Sequence, residues 1–143
     1  MTAQNPRIAS AADVARRLQP VVVGGDILAY SYVSELHRAY GIEHTIVLAA
    51  HDIKMLSTSR FTDYRLEPNV HDPEGLYDAL ERVAAEVSAA DPERVLLVLG
   101  CDDCHARMLS SGKERLEAAG YTVPYLDFAL LDDITQKRRF YEL

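Results

Sequence analysis

Residues 20–41, PVVVGGDILAYSYVSELHRAYG, set the architecture of this chain. The segment opens with three β-branched residues, breaks at Gly24-Gly25 and continues as a helical pattern. The apolar positions of that pattern are Ile27, Tyr30, Val33, Leu36 and Tyr40. A strand, a glycine turn and an amphipathic helix make up the first half of a βαβ unit. The segment therefore predicts a parallel sheet, with this turn at the carboxyl end of the first strand.

The glycine turn is also a candidate ligand site. Open parallel sheets bind ligands at the carboxyl ends of their strands. Gly24 and Gly25 would let the backbone approach a ligand, and the first amides of the following helix are unpaired donors. The dinucleotide fingerprint GxGxxG and the phosphate loop GxxxxGK[ST] are both absent. A tight turn without any ligand explains the two glycines equally well, so this loop does not identify a ligand.

A net charge of −7 over 143 residues makes a nucleic acid or an anionic membrane a poor partner. The composition, 48% hydrophobic and 26% charged, is that of a single globular domain. No apolar run reaches the length of a membrane span, and the first ten residues lack a signal-peptide core. We therefore expect a cytoplasmic protein whose two cysteines are reduced.

Strands and helices alternate along the remaining sequence. Beyond the opening unit, strands are predicted at 43–49, 63–67, 95–99 and 121–126, with a short helix or a loop at 51–62. Helices are predicted at 11–18, from Asp72-Pro73 to Asp91, at 102–119 and at 127–143. The fold class predicted is α/β, a Rossmann-like open parallel sheet with helices on both faces. The apolar run 95–99 predicts an interior strand covered on both faces.

Three acidic residues follow directly after predicted strands, namely Asp26, Asp102 and Asp103. Clustered carboxylates at one sheet edge could bind an amine or a metal-bound phosphate, or each could only cap its helix. The pair Ser59-Arg60, before the third strand, could hold an anion or belong to a solvated loop.

Residues 101–105 read CDDCH and match the CxxCH string of c-type haem attachment. Haem attachment is extracytoplasmic, so it is disfavoured here, and a zinc site lacks a fourth ligand. A thioredoxin-like dithiol would lower the pKa of Cys101, but the motif follows a late strand. Two small residues beside capping aspartates are the plainer interpretation. The other histidines share no spacing and are predicted to lie at the surface: His37, His44, His51 and His71.

Four segments in order resemble one family: the opening segment, STSRFTDYRLEPN, LLVLGCDDCHARML and VPYLDFALLDDITQKRRFYEL. They resemble the N-terminal (pre-ATP-grasp) domain of ATP-grasp carboxylate–amine ligases, nearest the D-aspartate ligase-like branch. Carbamoyl-phosphate synthase large subunit and biotin carboxylase are more distant relatives by this resemblance. The resemblance covers residues 18–143, and residues 1–17 are predicted to be a mobile lead-in and a short helix.

The resemblance implies an ATP-driven reaction in which a small carboxylate becomes an acyl phosphate that an amine attacks. In the family, ATP and Mg²⁺ are held by a catalytic body that follows this domain. The sequence stops where that body would begin, so we expect an N-terminal domain that is not a competent ligase by itself. Its partner would be the ATP-grasp domains, in cis or as a separate subunit. No tightly bound cofactor and no metal site are expected in this domain.

The resemblance also implies roles for individual residues. Its substrate-binding positions are Gly24, Gly25 and Asp26 in the first turn, Ser59 and Arg60 over the same edge, and Asp102 and Asp103 after the fourth strand. Lys137 matches the lysine of a K-x-x-F stretch that reaches the nucleotide phosphates in relatives. A solvent-exposed helix face is the plain interpretation of the basic run around Lys137.

A stand-alone nucleotide-sensing or receiver-like signalling module is the alternative function. A receiver needs an acidic pair after its first strand and a phosphorylatable aspartate at the end of its third. This sequence offers only Asp26 and Glu67 at those places. A dinucleotide-dependent oxidoreductase is disfavoured by the missing GxGxxG.

Overall fold

The computed structural model describes residues 10–136 and Tyr141, and its framework is a five-stranded sheet. The strands are β1 (Leu18–Val23), β2 (Thr45–Ala49), β3 (Thr62–Leu66), β4 (Val95–Gly100) and β5 (Tyr121–Thr122). Their order across the sheet is β3-β2-β1-β4-β5, and every neighbouring pair is parallel. The predicted Rossmann-like open parallel sheet is confirmed.

Seven helices accompany the sheet in the described part of the chain. They are α1 (Ala11–Arg17), α2 (Ile27–Tyr40), α3 (Lys54–Ser57), α4 (Pro73–Ala90), α5 (Asp103–Ser111), α6 (Lys113–Ala118) and α7 (Phe128–Thr135). Core residues of α4, α5 and α6 pack on one face of the sheet, and those of α2 and α3 pack on the other. Helices therefore lie on both faces, as predicted. None of the helices formed by residues 10–136 has the length and apolarity needed to cross a membrane.

Capping residues begin α2, α4 and α5, and end α2, where the sequence predicts. The side chains of Asp26, Asp72 and Asp102 accept hydrogen bonds from the first-turn amides of α2, α4 and α5. Pro73 occupies the first turn of α4, where a missing N–H costs nothing. Gly41 ends α2 in the left-handed conformation, with a φ of 75°. These boundaries follow from local chemistry.

The first strand begins earlier than predicted, because Pro20 lies inside β1 and not before it. Proline removes a ladder donor and is normally excluded from interior strands. Pairing between β1 and β2 starts only at Val21, so Pro20 lies beyond the end of that ladder. At the same level, the Gln19 side-chain amide donates to the His44 carbonyl at 2.9 Å and ties the two strands together.

The interior position of the apolar run 95–99 is confirmed, and its expected cover on both faces is found only in part. β4 lies between β1 and β5, and its Leu96 and Val98 are buried. On the opposite face Leu97 and Leu99 are only half-buried. The core on that face is built around Val22 and Val47, so α2 and α3 cover the β1–β2 half of the sheet.

The predicted helix 102–119 is two helices, α5 and α6, which meet at Gly112. A Cβ atom at Gly112 would lie 2.4 Å from Cε1 of Tyr77. Tyr77 is buried and its hydroxyl donates to the Met108 carbonyl at 2.7 Å, so the ring cannot move aside. Only glycine fits between α4 and this junction.

The predicted strand 121–126 is also shorter, since β5 ends at Thr122. Pro124 has no N–H to continue the ladder. Side chains hold the chain beyond it instead: the Tyr125 hydroxyl accepts from the Gly100 amide at 2.7 Å, and the Ser110 hydroxyl donates to the Leu126 carbonyl at 2.6 Å.

Replacing Gly112 with alanine should destabilise the protein by about 1–3 kcal/mol, because the added methyl group overpacks the Tyr77 ring. The change in unfolding free energy is measured by urea denaturation, alone and in a Tyr77→Leu background. The clash is absent in that background, so Gly112→Ala should then cost much less. Equal costs in both backgrounds would contradict the proposed contact.

Candidate functional site

A cavity of about 190 Å³ opens at the carboxyl ends of the strands, and we call it the edge cavity. Loops after β1, β2, β3 and β4 all contribute to its wall. The strand order reverses direction between β1 and β4, and such switch points are where open α/β sheets bind ligands. Its polar and ionisable lining residues are Asp26, His51, His71, Cys101, Asp102 and His105.

Sheet hydrogen bonding fixes the two central loops of the edge cavity. The Gly24 amide donates to the Leu48 carbonyl at 2.9 Å, just beyond the end of β1. The Cys101 amide donates to the Val23 carbonyl at 3.0 Å, just beyond the end of β4. The parallel ladder thus continues into the loops and holds the starts of α2 and α5 next to each other.

A tyrosine fixes the third loop. The Tyr64 hydroxyl donates to the His51 carbonyl and accepts from the Ile53 amide at 3.1 Å. Tyr64 belongs to β3, so the loop that leaves β2 is anchored to the neighbouring strand. His51 and Ile53, which line the edge cavity, are positioned in this way.

Packing explains the glycine at the first position of the turn. Gly24 has a φ of 128°, a conformation that side chains with a Cβ rarely adopt. A Cβ there would also lie 2.7 Å from Cβ of Cys101. The requirement for glycine therefore comes from the turn and from its contact with β4, and it does not by itself indicate a ligand.

His105 is the residue that sequence reasoning missed, since it was considered only as part of the CxxCH string. It lies in the first turn of α5 and is 1% exposed. Neither ring nitrogen makes a hydrogen bond of normal geometry to a described residue, although an interaction with the Val70 carbonyl contributes to the pKa of the ring. Nδ1 is 3.0 Å from Asp102 Oδ1, an oxygen that also accepts from the His105 amide. The sequence does contain one indication of this position, because His105 follows a predicted helix-capping residue, Asp102, by one helical turn.

Burial lowers the pKa of His105, because the charged imidazolium is poorly solvated there. The ring of His71 stacks on it at 5.0 Å between centroids and acts in the same direction. Asp102, Asp26 and the Val70 carbonyl oppose the shift without reversing it. His105 is therefore a neutral imidazole at neutral pH.

The two cysteines occupy different environments, and both are free. Cys101 is buried against Gly24, whereas Cys104 is exposed on α5. Burial, together with the charges of Asp26 and Asp102, raises the pKa of Cys101 to about 12. A dithiol site requires the opposite shift, so the thioredoxin-like interpretation is not supported.

The structure brings together four of the predicted site residues, Gly24, Gly25, Asp26 and Asp102, all of which line the edge cavity. Asp103 is exposed on α5 and does not line it. Lys137 lies outside the described residues. His71 and His51 are exposed as predicted, but both also contribute to the wall of the cavity.

The resemblance implied that Ser59 and Arg60 lie over the carboxyl edge of the sheet. The structure places them elsewhere. They precede β3, and the neighbouring Phe61 carbonyl accepts from the amide of Thr45, the first residue of β2. This places the pair at the opposite, amino-terminal edge of the sheet. There they line an open groove of about 640 Å³ against α2, with the Arg60 guanidinium 4.7 Å from the Phe61 ring centroid.

The edge cavity presents carboxylate oxygens and imidazole nitrogens, and no lysine or arginine from residues 10–136 lines it. Within those residues, no three or more His, Cys, Asp or Glu side chains are grouped so that they could hold a metal ion. Its volume suits a small molecule, because ligand pockets for drug-sized compounds measure about 300–1,000 Å³.

Comparison with known proteins finds a distant relative. The chain is 23% identical over 124 residues to a D-aspartate ligase of Enterococcus faecium (strain Aus0004). The aligned part spans 87% of this chain but 29% of that ligase. No family model and no solved structure matches. The sequence resemblance to D-aspartate ligase-like enzymes is thus supported as a distant relationship to one part of such an enzyme.

The depressed pKa of His105 should be visible in a histidine-ring NMR titration, with a midpoint below the ordinary value of about 6.5. Below about pH 6.5, the histidine of the unfolded chain takes up a proton that the buried ring does not. The unfolding free energy therefore decreases as the pH falls from about 6.5 to the lower pKa of the folded state. Replacing His105 with asparagine should reduce this loss, as measured by urea denaturation between pH 7.5 and roughly 5. A midpoint at or above the ordinary value would contradict the burial argument.

Proposed function

We propose that this chain is the N-terminal, substrate-side domain of an ATP-dependent carboxylate–amine ligase that acts through an acyl phosphate. The observation that carries the proposal is the similarity to a D-aspartate ligase over 87% of the chain, which is far more than one motif. The chain spans less than a third of that ligase, so the remaining parts would come from other domains.

The charge of the edge cavity supports a division of labour between this domain and a catalytic body. Phosphoryl transfer is catalysed by cations that stabilise the charge on the transferring group. The described residues that line the cavity supply two carboxylates and no cationic side chain. The phosphoryl-transfer step would therefore take place on the ATP-grasp body, in cis or as a separate subunit, and this domain would hold a substrate beside it.

In the proposed reaction, a carboxylate oxygen attacks the γ-phosphorus of ATP and ADP leaves. The amine nitrogen then attacks the acyl carbon of the acyl phosphate, a C–N bond forms, and phosphate and a proton are released. The residues of this chain would position a substrate for that second step. The two loops that sheet hydrogen bonds hold rigid, at Gly24 and Cys101, suit such a positioning role.

The receiver-like alternative receives no support from the topology. Receiver domains have the strand order 2-1-3-4-5, whereas this sheet has the order β3-β2-β1-β4-β5. Glu67, which follows β3 where a receiver has its phosphorylatable aspartate, pairs instead with Arg82 at 3.0 Å. A nucleotide-sensing module of another kind would still need a nucleotide site in this chain.

Isothermal calorimetry with ATP and Mg²⁺ should show no micromolar binding to this chain alone, because the phosphate-binding cations would belong to the catalytic body.

A second experiment measures ligase activity. Hydroxylamine, a surrogate amine that traps acyl phosphates as hydroxamates, should report ATP-dependent product only when the catalytic body is present with this domain. D-Aspartate is the first carboxylate to test. Micromolar ATP binding by the chain alone would overturn the proposal in favour of a nucleotide sensor.

Lys137 provides a second test, which depends on the family resemblance. Removing a phosphate contact by Lys137→Ala should lower ATP-dependent turnover of the complete ligase by about 1.5–3 kcal/mol in transition-state stabilisation, the value of a charge-assisted hydrogen bond. Arg138→Ala is the matched control, since it removes one neighbouring cation from the same basic run and should have much less effect. Equal, small effects of the two substitutions on turnover would show that Lys137 makes no phosphate contact.

A further inference from the structure

The groove that Ser59 and Arg60 line against α2 is a second concavity of ligand size, and we call it the α2 groove. Its volume of about 640 Å³ lies within the range of about 300–1,000 Å³ that is usual for ligand pockets. α2 forms one wall, and α3 with the loop before β3 forms the other. The groove shares no lining residue with the edge cavity, so a ligand there would be separate from the proposed ligase reaction.

Arg60 gives the α2 groove a positive charge that the described residues do not neutralise. Most arginines of residues 10–136 form an ion pair with a carboxylate. Arg60 is exposed, and it forms neither an ion pair nor a side-chain hydrogen bond with a described residue, although the chain carries a net charge of −7. An unpaired guanidinium in a concave surface attracts an anion.

Aromatic packing, and not an ion pair, holds the guanidinium of Arg60 in the groove. The guanidinium lies over the Phe61 ring, 4.7 Å from its centroid. The His37 ring stacks on Phe61 at 3.7 Å between centroids, and Nδ1 of His37 donates to the Ile42 carbonyl at 3.1 Å. A cation–π contact positions the guanidinium without using its N–H donors. A planar guanidinium with available donors binds a carboxylate through two parallel hydrogen bonds.

The other polar groups in the wall leave this charge in place. Glu35 is the acidic residue of the lining, and Arg38 pairs with it at 3.0 Å. The pair adds no net charge, so the positive charge of Arg60 decides the character of the groove. Ser34 and Ser59 add hydroxyl groups, which can donate to an anion. The groove therefore selects an anionic group and disfavours an amine.

Apolar side chains determine what the rest of the ligand contains. Met55 is 45% exposed and Tyr30 is 40% exposed, and both line the groove. A ligand that covers them removes apolar surface from water. Aromatic rings pack favourably on a tyrosine ring and on a methionine sulfur. The lining thus complements an anionic group joined to an apolar body.

We propose that the α2 groove binds a small carboxylate with an aromatic side chain, its carboxylate on Arg60 and its ring against Met55 and Tyr30. A carboxylate is favoured over a phosphate, because one unpaired guanidinium balances a single negative charge. The inference goes beyond the proposed function and does not depend on it, since the groove and the edge cavity are formed by different residues.

The test is an NMR titration of the methionine methyl groups in the full chain at neutral pH, with 3-phenylpropionate as the probe. The Met55 methyl group should shift saturably, because Met55 lines the groove. Met108 is 7% exposed in the core and serves as the internal control. Two matched compounds should have much weaker effects on Met55: 3-phenylpropanamide, which keeps the ring without the charge, and propionate, which keeps the charge without the ring.

Variants at Arg60 then locate the carboxylate. Arg60→Gln should raise the dissociation constant for 3-phenylpropionate by about tenfold, since a charge-assisted hydrogen-bonded contact is lost. Arg60→Lys keeps the charge but not the paired donors, so its loss should be smaller. Arg17→Gln is the matched control, because it removes an exposed arginine from α1 that does not line the groove. Unchanged Met108 signals in each variant show that the core is intact.

Three results would overturn the proposal: no saturable shift of Met55, an equal response to 3-phenylpropanamide, or the same loss of binding in Arg17→Gln. Displacement of 3-phenylpropionate by an equal concentration of inorganic phosphate would also overturn it, since the groove would then be a general anion site. The titration needs neither ATP nor the catalytic body. Its outcome therefore leaves the proposed ligase function untouched, and loss of that function would not affect the groove.

Discussion

The parallel pairing of β1 with β2 on one side and β4 on the other is the constraint on which the rest of the structure depends. This pairing extends past the strand ends, through the Gly24 amide to Leu48 and the Cys101 amide to Val23. It brings the starts of α2 and α5 to one edge of the sheet, with their capping aspartates. The edge cavity lies where the strand order reverses between β1 and β4, because the helices that follow these two strands, α2 and α5, pack on opposite faces of the sheet.

The capping side chains at this edge stabilise the starts of α2 and α5. Asp26 and Asp102 each accept from helix amides through one carboxylate oxygen, and no described residue donates to the other oxygen. His105 is buried at the start of α5, and that burial lowers the pKa of its ring. The described residues that line the edge cavity supply none of the cations that phosphoryl transfer requires.

Much of the fold follows from local sequence because local chemistry controls it. Apolar runs specified β1, β2 and β4, and Asp72-Pro73 and Gly41 specified helix ends by capping. The alternation of strands and helices was enough for the parallel sheet. The same reasoning placed Gly24, Gly25, Asp26 and Asp102 at the carboxyl edge, since each follows a strand directly.

Tertiary structure alone decided the features that depend on what packs against a segment. The burial of His105, the break at Gly112 against Tyr77 and the exposure of Ile27 on α2 depend on neighbours distant in sequence. Strand order did not follow from the pattern of elements, and Ser59-Arg60 lies at the opposite edge because α3 intervenes before β3. The sequence by itself determined which residues end strands and begin helices, because those signals act within one turn. Which of these residues share a cavity, and which lose their hydrogen-bond partners on burial, was determined only when the strands paired.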